Sequence, residues 1–261
     1  MELSQARIVL CRPDESRNIG SVCRAMANMG MSHLRIVGKK SSYNEEHIKT
    51  LAIHASDIWN HAVFYDSLPE AVEDCVIVAG TTRRRGKKRK NALLLPEEFA
   101  HIASLIPHQD NHTQGLFAVV FGNERTGLTD EELSHCTMGV TIPTDPAFGS
   151  LNLSHAVQII AYTLFREYSA QKNAKHPISP GYIPISLKRV HNATEVITDS
   201  LQSIGFFKQA GKEDMCLFWQ NILTKAILSE GEATYLEKIF TKIAGLASKN
   251  KINVGSGDDR F

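Results

Sequence analysis

The chain has 261 residues, of which 43% are hydrophobic and 22% are charged, and its formal net charge is +1. These values are typical of a soluble globular protein, and they exclude a disordered chain and a disulfide scaffold. The five cysteines are scattered without a Cys-x-x-Cys pair, which predicts a cytoplasmic protein without disulfides and without a metal site.

Short β-rich runs alternate with helical patterns through the first two thirds of the chain. The first run begins at Arg7 with no signal-peptide pattern before it, and no apolar run reaches the ~20 residues that cross a bilayer, so we expect no membrane contact. Six runs have strand character: 7–11, 34–37, 62–65, 75–79, 116–121 and 140–142. Their alternation with helices predicts an α/β fold with a parallel sheet covered on both faces.

The segment after the first strand predicts a helix with two distinct faces. One stripe at three- and four-residue spacing is apolar: Ile19, Val22, Cys23, Met26 and Met29. A second stripe is polar: Arg17, Ser21, Arg24 and Asn28. We therefore expect the apolar stripe to pack on the sheet, and Arg24 to face a ligand or a partner.

A run of seven cations occupies residues 83–90, directly after the fourth predicted strand. This density of like charge predicts an exposed segment. Two interpretations stay open: a solvated loop, or a contact with the phosphates of an RNA. The second would use the following side chains: Arg83, Arg84, Arg85, Lys87 and Lys88.

The next part of the chain predicts two helices. Thr129 and Glu132 have the spacing of a capping box, which marks the start of the first one. The second is amphipathic, begins after Asn152 and is expected to end near Tyr168. The two helices complete a predicted domain at residues 1–170.

The remaining residues predict a smaller helical unit. Residues 171–186 hold three of the nine prolines and show no periodicity, so they are interpreted as a linker. A helical extension is expected at 187–249, with breaks at Gly205, Gly211 and Gly231, and a flexible tail at 250–261.

Three short segments place small or amide-bearing side chains where a strand pattern gives way to a helix pattern. They are NIGSVCRA from Asn18, FGNERTGL from Phe121 and SLNLSHAV from Ser150. Open parallel sheets hold their ligands at such junctions. No Gly-x-Gly-x-x-Gly or Walker A sequence is present, which excludes the commonest nucleotide-binding folds.

Taken together and in this order, the three segments resemble the motifs of the SPOUT superfamily of RNA methyltransferases, in its TrmH-like branch. The resemblance covers roughly residues 6–168. It implies an α/β fold whose C-terminal part is tied in a deep trefoil knot, a rare exception to the rule against knotted chains. It also implies S-adenosylmethionine as the cofactor and a homodimer that binds RNA.

Two further segments resemble the members of this branch that methylate the ribose 2′-oxygen of nucleotide 32 in the anticodon loop of tRNA. They are AGTTRRR from Ala79 and the helical run that begins SLQSIGFF at Ser200. The resemblance therefore implies S-adenosylmethionine-dependent 2′-O-methylation of tRNA. Two alternatives stay open: the same reaction on ribosomal RNA, and an RNA-binding dimer without catalysis.

The resemblance also implies roles for individual residues. Arg24 matches an arginine proposed to help remove the proton of the 2′-hydroxyl. Because arginine normally stays protonated, either its surroundings favour the neutral form, or it acts by orienting the ribose and the phosphate. Asn18 would position the ribose or a loop of the partner subunit. Hydrogen bonds from three more residues would order the site: Glu124, Ser150 and Asn152.

A cofactor slot built from backbone groups and apolar contacts is implied as well. The loops that would form it lie around Thr81, Gly122, Ile142 and Leu151. In the basic run, either Arg84 or Arg85 matches an arginine of the family that binds tRNA. Three apolar residues are candidates for the core or for the dimer interface: Met26, Met29 and Ile160.

Overall fold

The computed structural model of the protein describes residues 2–83, 93–108, 115–172, 182–207 and 211–254. The chain divides into two compact units, Met1–Ile183 and Pro184–Phe261. The predicted linker 171–186 spans this boundary, and its residues 173–181 lie outside the described part of the chain.

The first unit is built on a seven-stranded sheet with the order β3-β2-β1-β6-β4-β7-β5. Every neighbouring pair in this sheet is parallel. The strands are β1 Ala6–Cys11, β2 Leu34–Val37, β3 Val63–Tyr65, β4 Ile77–Thr81, β5 Leu93–Leu94, β6 Phe117–Phe121 and β7 Met138–Val140. The parallel α/β sheet predicted from the sequence is therefore confirmed.

The observed strands differ from the predicted ones by one residue at several ends and by more in β4, β7 and β5. β4 begins two residues later than its apolar run, and β7 ends at Val140, where the predicted strand begins. The two-residue strand β5 was not predicted, because a pair of leucines beside a basic run carries too little periodicity to indicate a strand. The central strands β1 and β6 are buried along their whole length, as expected of strands covered on both faces.

Within the described ranges, seven α-helices accompany the sheet in the first unit, and three form the second. They are α1 Ser16–Asn28, α2 Glu45–Ala52, α3 Ser56–Asn60, α4 Leu68–Val72, α5 Pro96–Ser104, α6 Asp130–Ser134, α7 Leu153–Lys172, α8 Leu187–Ser203, α9 Lys212–Ala226 and α10 Glu230–Val254. The capping box at the start of α6 is present, since the Thr129 hydroxyl accepts from the Glu132 amide at 3.1 Å and the Glu132 carboxylate accepts from the Thr129 amide at 2.7 Å. α7 continues four residues beyond its predicted end at Tyr168.

Helix α1 separates its two faces as its sequence predicts. Ile19, Val22 and Met26 are fully buried in the core of the first unit, whereas Arg24 is exposed. The core also takes up Ile160 of α7. Met26 and Ile160, considered above for a subunit interface, are therefore buried by their own chain.

Helices α1 and α2 approach each other closely at Gly20. A Cβ atom built at this position would lie 2.2 Å from the carbonyl oxygen of Ile48 and 3.1 Å from the amide nitrogen of Ala52. Both neighbours are backbone atoms, so neither can rotate away. The absence of a side chain at Gly20 thus sets the distance between the two helices.

One charged pair lies partly inside the core of the first unit. The buried guanidinium of Arg35 donates to both carboxylate oxygens of Asp74, at 2.6 and 2.7 Å, and to the carbonyl oxygen of Ala71 at 2.7 Å. Burial tends to raise the pKa of Asp74, but the hydrogen bonds and positive charge of Arg35 outweigh it and lower that pKa. Asp74 therefore neutralises the buried guanidinium of Arg35, which would destabilise the fold if it were left without a partner.

The second unit has an apolar core of its own between its three helices, with Ile197 and Ala233 fully buried. Arg189 joins α8 to α10, donating to both carboxylate oxygens of Glu237 at 2.5 and 2.9 Å. The hydrogen bonds from Glu237 and then Glu230 raise the pKa of Arg189, although partial burial opposes them.

One expectation for the second unit is wrong. Gly231 does not break a helix, because it lies in the first turn of α10; the break occurs earlier, at Ile227, whose φ of 49° is left-handed. The predicted tail is helical as far as Val254, and residues 255–261 lie outside the described part. Phe207 and Trp219 pack against the apolar core of this unit, while Phe206 is exposed. None of the helices in the described ranges has the length and apolar character needed to cross a membrane.

The close approach at Gly20 yields a direct prediction. Gly20→Ala places a methyl group against the backbone of α2, and we expect the first unit to lose about 1–3 kcal/mol of stability, because overpacking outweighs the gain in helix propensity. Thermal unfolding followed by circular dichroism measures the loss. Asn28→Ala, on the exposed face of the same helix, is the control and should stay within about 0.5 kcal/mol of the wild type. Equal stability of Gly20→Ala and the wild type would contradict the packing described here.

Candidate functional site

A cleft opens at the carboxyl ends of three neighbouring strands, β6, β4 and β7. Because the strands are parallel, the loops that leave them meet at this edge of the sheet. All four residues predicted to form a cofactor slot line this one cleft: Thr81, Gly122, Ile142 and Leu151. Two residues predicted to order the site, Glu124 and Ser150, line it as well. Residues more than 60 positions apart are thus brought together.

The loop after β6 is unusually tight, and Gly122 makes that possible. A Cβ atom at Gly122 would lie 2.2 Å from the carbonyl carbon of Gly127 and 2.2 Å from the amide nitrogen of Leu128. The Gly127 amide donates to the Asn123 carbonyl at 2.8 Å, and Gly127 itself has a φ of +68°, which favours glycine. The loop therefore folds back on itself and presents backbone groups to the cleft.

A chain of hydrogen bonds links the three motif segments. The Asn18 Nδ2 group donates to Glu124 Oε1 at 2.9 Å, and Asn18 Oδ1 accepts from Asn152 Nδ2 at 2.9 Å. The other oxygen of Glu124 accepts from the backbone amide of Asp14 at 2.8 Å. Glu124 thereby holds both the side chain of Asn18 and the loop that precedes α1.

Asn152 fixes the direction of this hydrogen-bond chain. Its Oδ1 accepts from the amide of Ser154 at 2.9 Å and from the Ser154 hydroxyl at 2.7 Å, which caps the start of α7. With the oxygen engaged, only the Nδ2 group is left to donate to Asn18. The amide of Asn18 then has to present its oxygen to Asn152 and its NH₂ group to Glu124. Asn152 consequently has a structural role at the helix start and an ordering role at the site.

Arg24 stands apart from this arrangement. It lies on the exposed face of α1, two turns beyond Asn18, and it is not among the residues that line the cleft. Within the described ranges, its guanidinium has no hydrogen-bond or ion-pair partner. The structure of the single chain therefore brings Asn18, Glu124 and Asn152 together but leaves Arg24 facing outward.

Sequence reasoning missed an ion pair between the loop after β1 and helix α6. Arg12 donates to Glu132 Oε1 at 3.0 and 2.8 Å and to Oε2 at 2.8 Å, and its carbonyl oxygen accepts from Asn123 Nδ2 at 2.9 Å. Arg12 has a left-handed φ of 51°. These contacts tie the loop after β1 to the loop after β6. Arg12 lies about 110 to 120 positions before these two partners in the sequence. The capping box that includes Glu132 was the one sequence signal that marked any of these residues.

Tyr43 is a second residue whose place near the site was not predicted. Burial, and then the negative charges of Glu124 and Asp14, raise the pKa of Tyr43 to about 12. Its phenol therefore stays protonated at neutral pH.

Of the basic run, only Arg83 lies in the described part of the chain. Arg83 lines the cleft, and a Cβ atom at Gly149 would lie 2.2 Å from its Nη1 atom. The remaining residues predicted to bind RNA lie outside the described part of the chain: Arg84, Arg85, Lys87 and Lys88. Within the described ranges, no group of three or more His, Cys, Asp and Glu side chains is arranged to hold a metal ion.

Comparison with known proteins gives consistent matches. The SpoU rRNA Methylase family matches residues 5–162. An uncharacterized tRNA/rRNA methyltransferase of Haemophilus influenzae is 40% identical over 177 residues, which make up 68% of this chain and 69% of its own. The tRNA (cytidine/uridine-2′-O-)-methyltransferase TrmJ of Photorhabdus laumondii is 31% identical over 250 residues, or 95% of this chain and 100% of its own. The crystal structure of TrmJ from Z. mobilis ZM4 superposes with a TM-score of 0.70 at 26% identity, covering 91% of this chain and 98% of that one.

The family match spans all three motif segments and the strands whose carboxyl ends form the cleft. It covers more than half of the chain, and relatives above 30% identity extend over nearly all of it. The protein therefore belongs to the SpoU rRNA Methylase family and is an RNA methyltransferase.

Proposed function

We propose that this protein transfers the methyl group of S-adenosylmethionine to a ribose 2′-oxygen of tRNA, at nucleotide 32 of the anticodon loop. The observation that carries the proposal is the cleft itself, where four residues expected to hold the cofactor meet beside the Glu124–Asn18–Asn152 hydrogen bonds. The choice of tRNA is supported by the names of relatives from P. laumondii and Methanocaldococcus jannaschii, both described as tRNA 2′-O-methyltransferases. Nucleotide 32 rests on the AGTTRRR and SLQSIGFF segments.

The cleft fits a nucleoside cofactor. The bend at Gly122, which a Cβ atom would obstruct, leaves backbone groups of its loop at the cleft, and Ile142 and Leu151 supply apolar walls for a planar base. S-adenosylmethionine, when bound, supplies an electrophilic methyl group whose leaving group is a neutral thioether, so the reaction needs no metal. The role of the chain is then to hold the donor, to orient the ribose and to exclude water.

We assign Arg24 to ribose and phosphate orientation in a partner subunit. It is exposed and lies outside its own cleft, which supports a homodimer in which α1 of one protomer faces the cleft of the other. A planar guanidinium with five donors suits a phosphate and a ribose oxygen held together. The contact between α1 and α7, together with Tyr162 and Phe165 exposed on α7, supports a dimer face formed by these two helices.

The trefoil knot is proposed as well. Val140 of β7 pairs with Thr81 on one side and with Leu94 on the other. β5 therefore lies on the far side of β7 from β4, although it precedes β7 in the chain. This geometry supports a threaded backbone, and the proposed knot would hold the loops of the cleft in a fixed arrangement.

Methyl transfer into defined RNAs tests the proposed function. We expect the purified protein to methylate tRNA with S-adenosylmethionine, and ribose-methylation mapping to place the product at nucleotide 32. Ribosomal RNA transcripts serve as the comparison substrate. Methylation confined to ribosomal RNA would replace the proposed substrate, and a folded protein that does not bind S-adenosylmethionine in calorimetry would favour the non-catalytic RNA-binding dimer.

Substitution of Arg24 tests its assigned role. We expect Arg24→Ala to lower kcat about 100-fold, the scale for the loss of a positioned group, while S-adenosylmethionine affinity in calorimetry stays unchanged. Arg24→Lys retains the charge but not the planar fork and should remain strongly impaired. Arg17→Ala removes the same charge from the same face of α1 as a control. Near-normal turnover of Arg24→Ala would remove this residue from the mechanism.

The basic run makes a separate prediction about tRNA affinity. Replacing its seven cations with serine should weaken tRNA binding. The slope of log K against log salt concentration should also become less steep, by about 0.7–0.9 for each phosphate that the run neutralises. Binding measured at several salt concentrations gives the slope. Lys39→Ser combined with Lys49→Ser removes exposed cations elsewhere in the first unit and serves as the control. An unchanged slope for the serine variant would identify the run as a solvated loop.

A further inference from the structure

Phe148 is the most exposed large hydrophobic side chain in the described part of the protein, with 83% of its surface accessible. A single exposed apolar residue is common and needs no explanation by itself. The position of Phe148 is different, because it comes directly before Gly149, Ser150 and Leu151, which all line the cleft. The ring therefore stands beside the site rather than on a remote surface.

The turn that carries Phe148 is closed by its own hydrogen bonds. Asp145 accepts from the amide of Ala147 through Oδ1 at 2.7 Å and from the amide of Phe148 through its carbonyl at 3.2 Å. The Thr144 hydroxyl donates to the carbonyl of Gly149 at 3.2 Å, and Pro146 restricts the first position of the turn. These contacts preorganise the backbone of the turn, so little further backbone entropy is lost when the ring makes a contact.

A cation lies against the residue that follows Phe148. Arg83 lines the same cleft, and its Nη1 atom lies within 2.2 Å of the place where a Cβ of Gly149 would stand. Any side chain at residue 149 would displace the guanidinium, so the glycine allows Arg83 to lie against the turn. The same turn thus carries an exposed aromatic ring at Phe148 and, at the next residue, contacts a guanidinium that lines the cleft.

This pairing matches the chemistry of an unpaired nucleotide. Nucleobases released from a loop stack on aromatic side chains, whereas bases inside a duplex are not accessible for stacking, and guanidinium groups bind the neighbouring phosphates. We propose that Phe148 stacks on an unpaired nucleobase of the RNA substrate, with Arg83 beside the phosphate backbone. The inference rests on the proposed function, and it adds a residue that positions the RNA by contact with an unpaired base.

Four variants at residue 148 test the proposal. We expect Phe148→Ala and Phe148→Leu to raise the Kd for an anticodon stem-loop and the KM for tRNA about tenfold, whereas Phe148→Tyr and Phe148→Trp stay within about twofold of the wild type. The leucine variant keeps an apolar side chain without a π face, so it separates stacking from simple burial. Phe206→Leu removes another exposed ring, in the second unit, as a control.

Stacking has its own spectroscopic signature. A set of anticodon stem-loops carries 2-aminopurine, each at a different loop position. Binding of the wild type should quench the fluorescence of the label at one of these positions, whereas binding of Phe148→Leu should not quench it. This binding measurement needs no methyl transfer, so it decides the inference even if the wild type methylates no tRNA, an outcome that would overturn the proposed function alone. Equal Kd values for the leucine, tyrosine and wild-type proteins would overturn the inference. It would also be overturned if Phe148→Leu became monomeric in light scattering, since the ring would then belong to a subunit interface.

Discussion

The hydrogen bonds that join Glu124, Asn18 and Asn152 are the constraint on which the site depends. The three residues follow different strands: Asn18 lies in the first turn of α1, Glu124 in the loop after β6, and Asn152 directly before α7. Because the Asn152 oxygen is committed to the start of α7, every donor and acceptor in the chain has one possible direction. A carboxylate at one end and a helix cap at the other thus define the relative positions of the three motifs.

Helix α1 shows how one element serves stability and chemistry at once. Its apolar stripe, with Val22 and Met26, is buried, and Gly20 brings it close to α2, so the helix itself is rigidly placed. Asn18 at its start enters the hydrogen-bond chain, while Arg24 extends from the exposed face. A rigid helix can therefore offer two functional side chains to two different clefts, which is the arrangement that the proposed homodimer requires.

The sequence was sufficient for the parallel sheet and for most elements, because alternating apolar runs and helical stripes are local patterns. It was also sufficient to name the residues around the cleft, although that step depended on a family resemblance rather than on periodicity. Local patterns could not reveal β5, which has two residues, or the ion pair between Arg12 and Glu132, which depends on how distant loops meet. The helix break at Ile227 was likewise missed, because a β-branched residue rarely adopts a left-handed conformation and the neighbouring Gly231 was the more obvious choice.

The position of β7 between β4 and β5 also bears on how the chain is made. Within the described residues, β5 pairs with no strand other than β7, which is synthesised more than 40 residues later. The edge of the sheet therefore stays incomplete on the ribosome until Met138–Val140 has emerged, and the loops of the cleft assemble only after that. Such non-local strand pairing slows folding, so the nascent chain exposes the unpaired edge of β4 for longer than a sheet built in sequence order would.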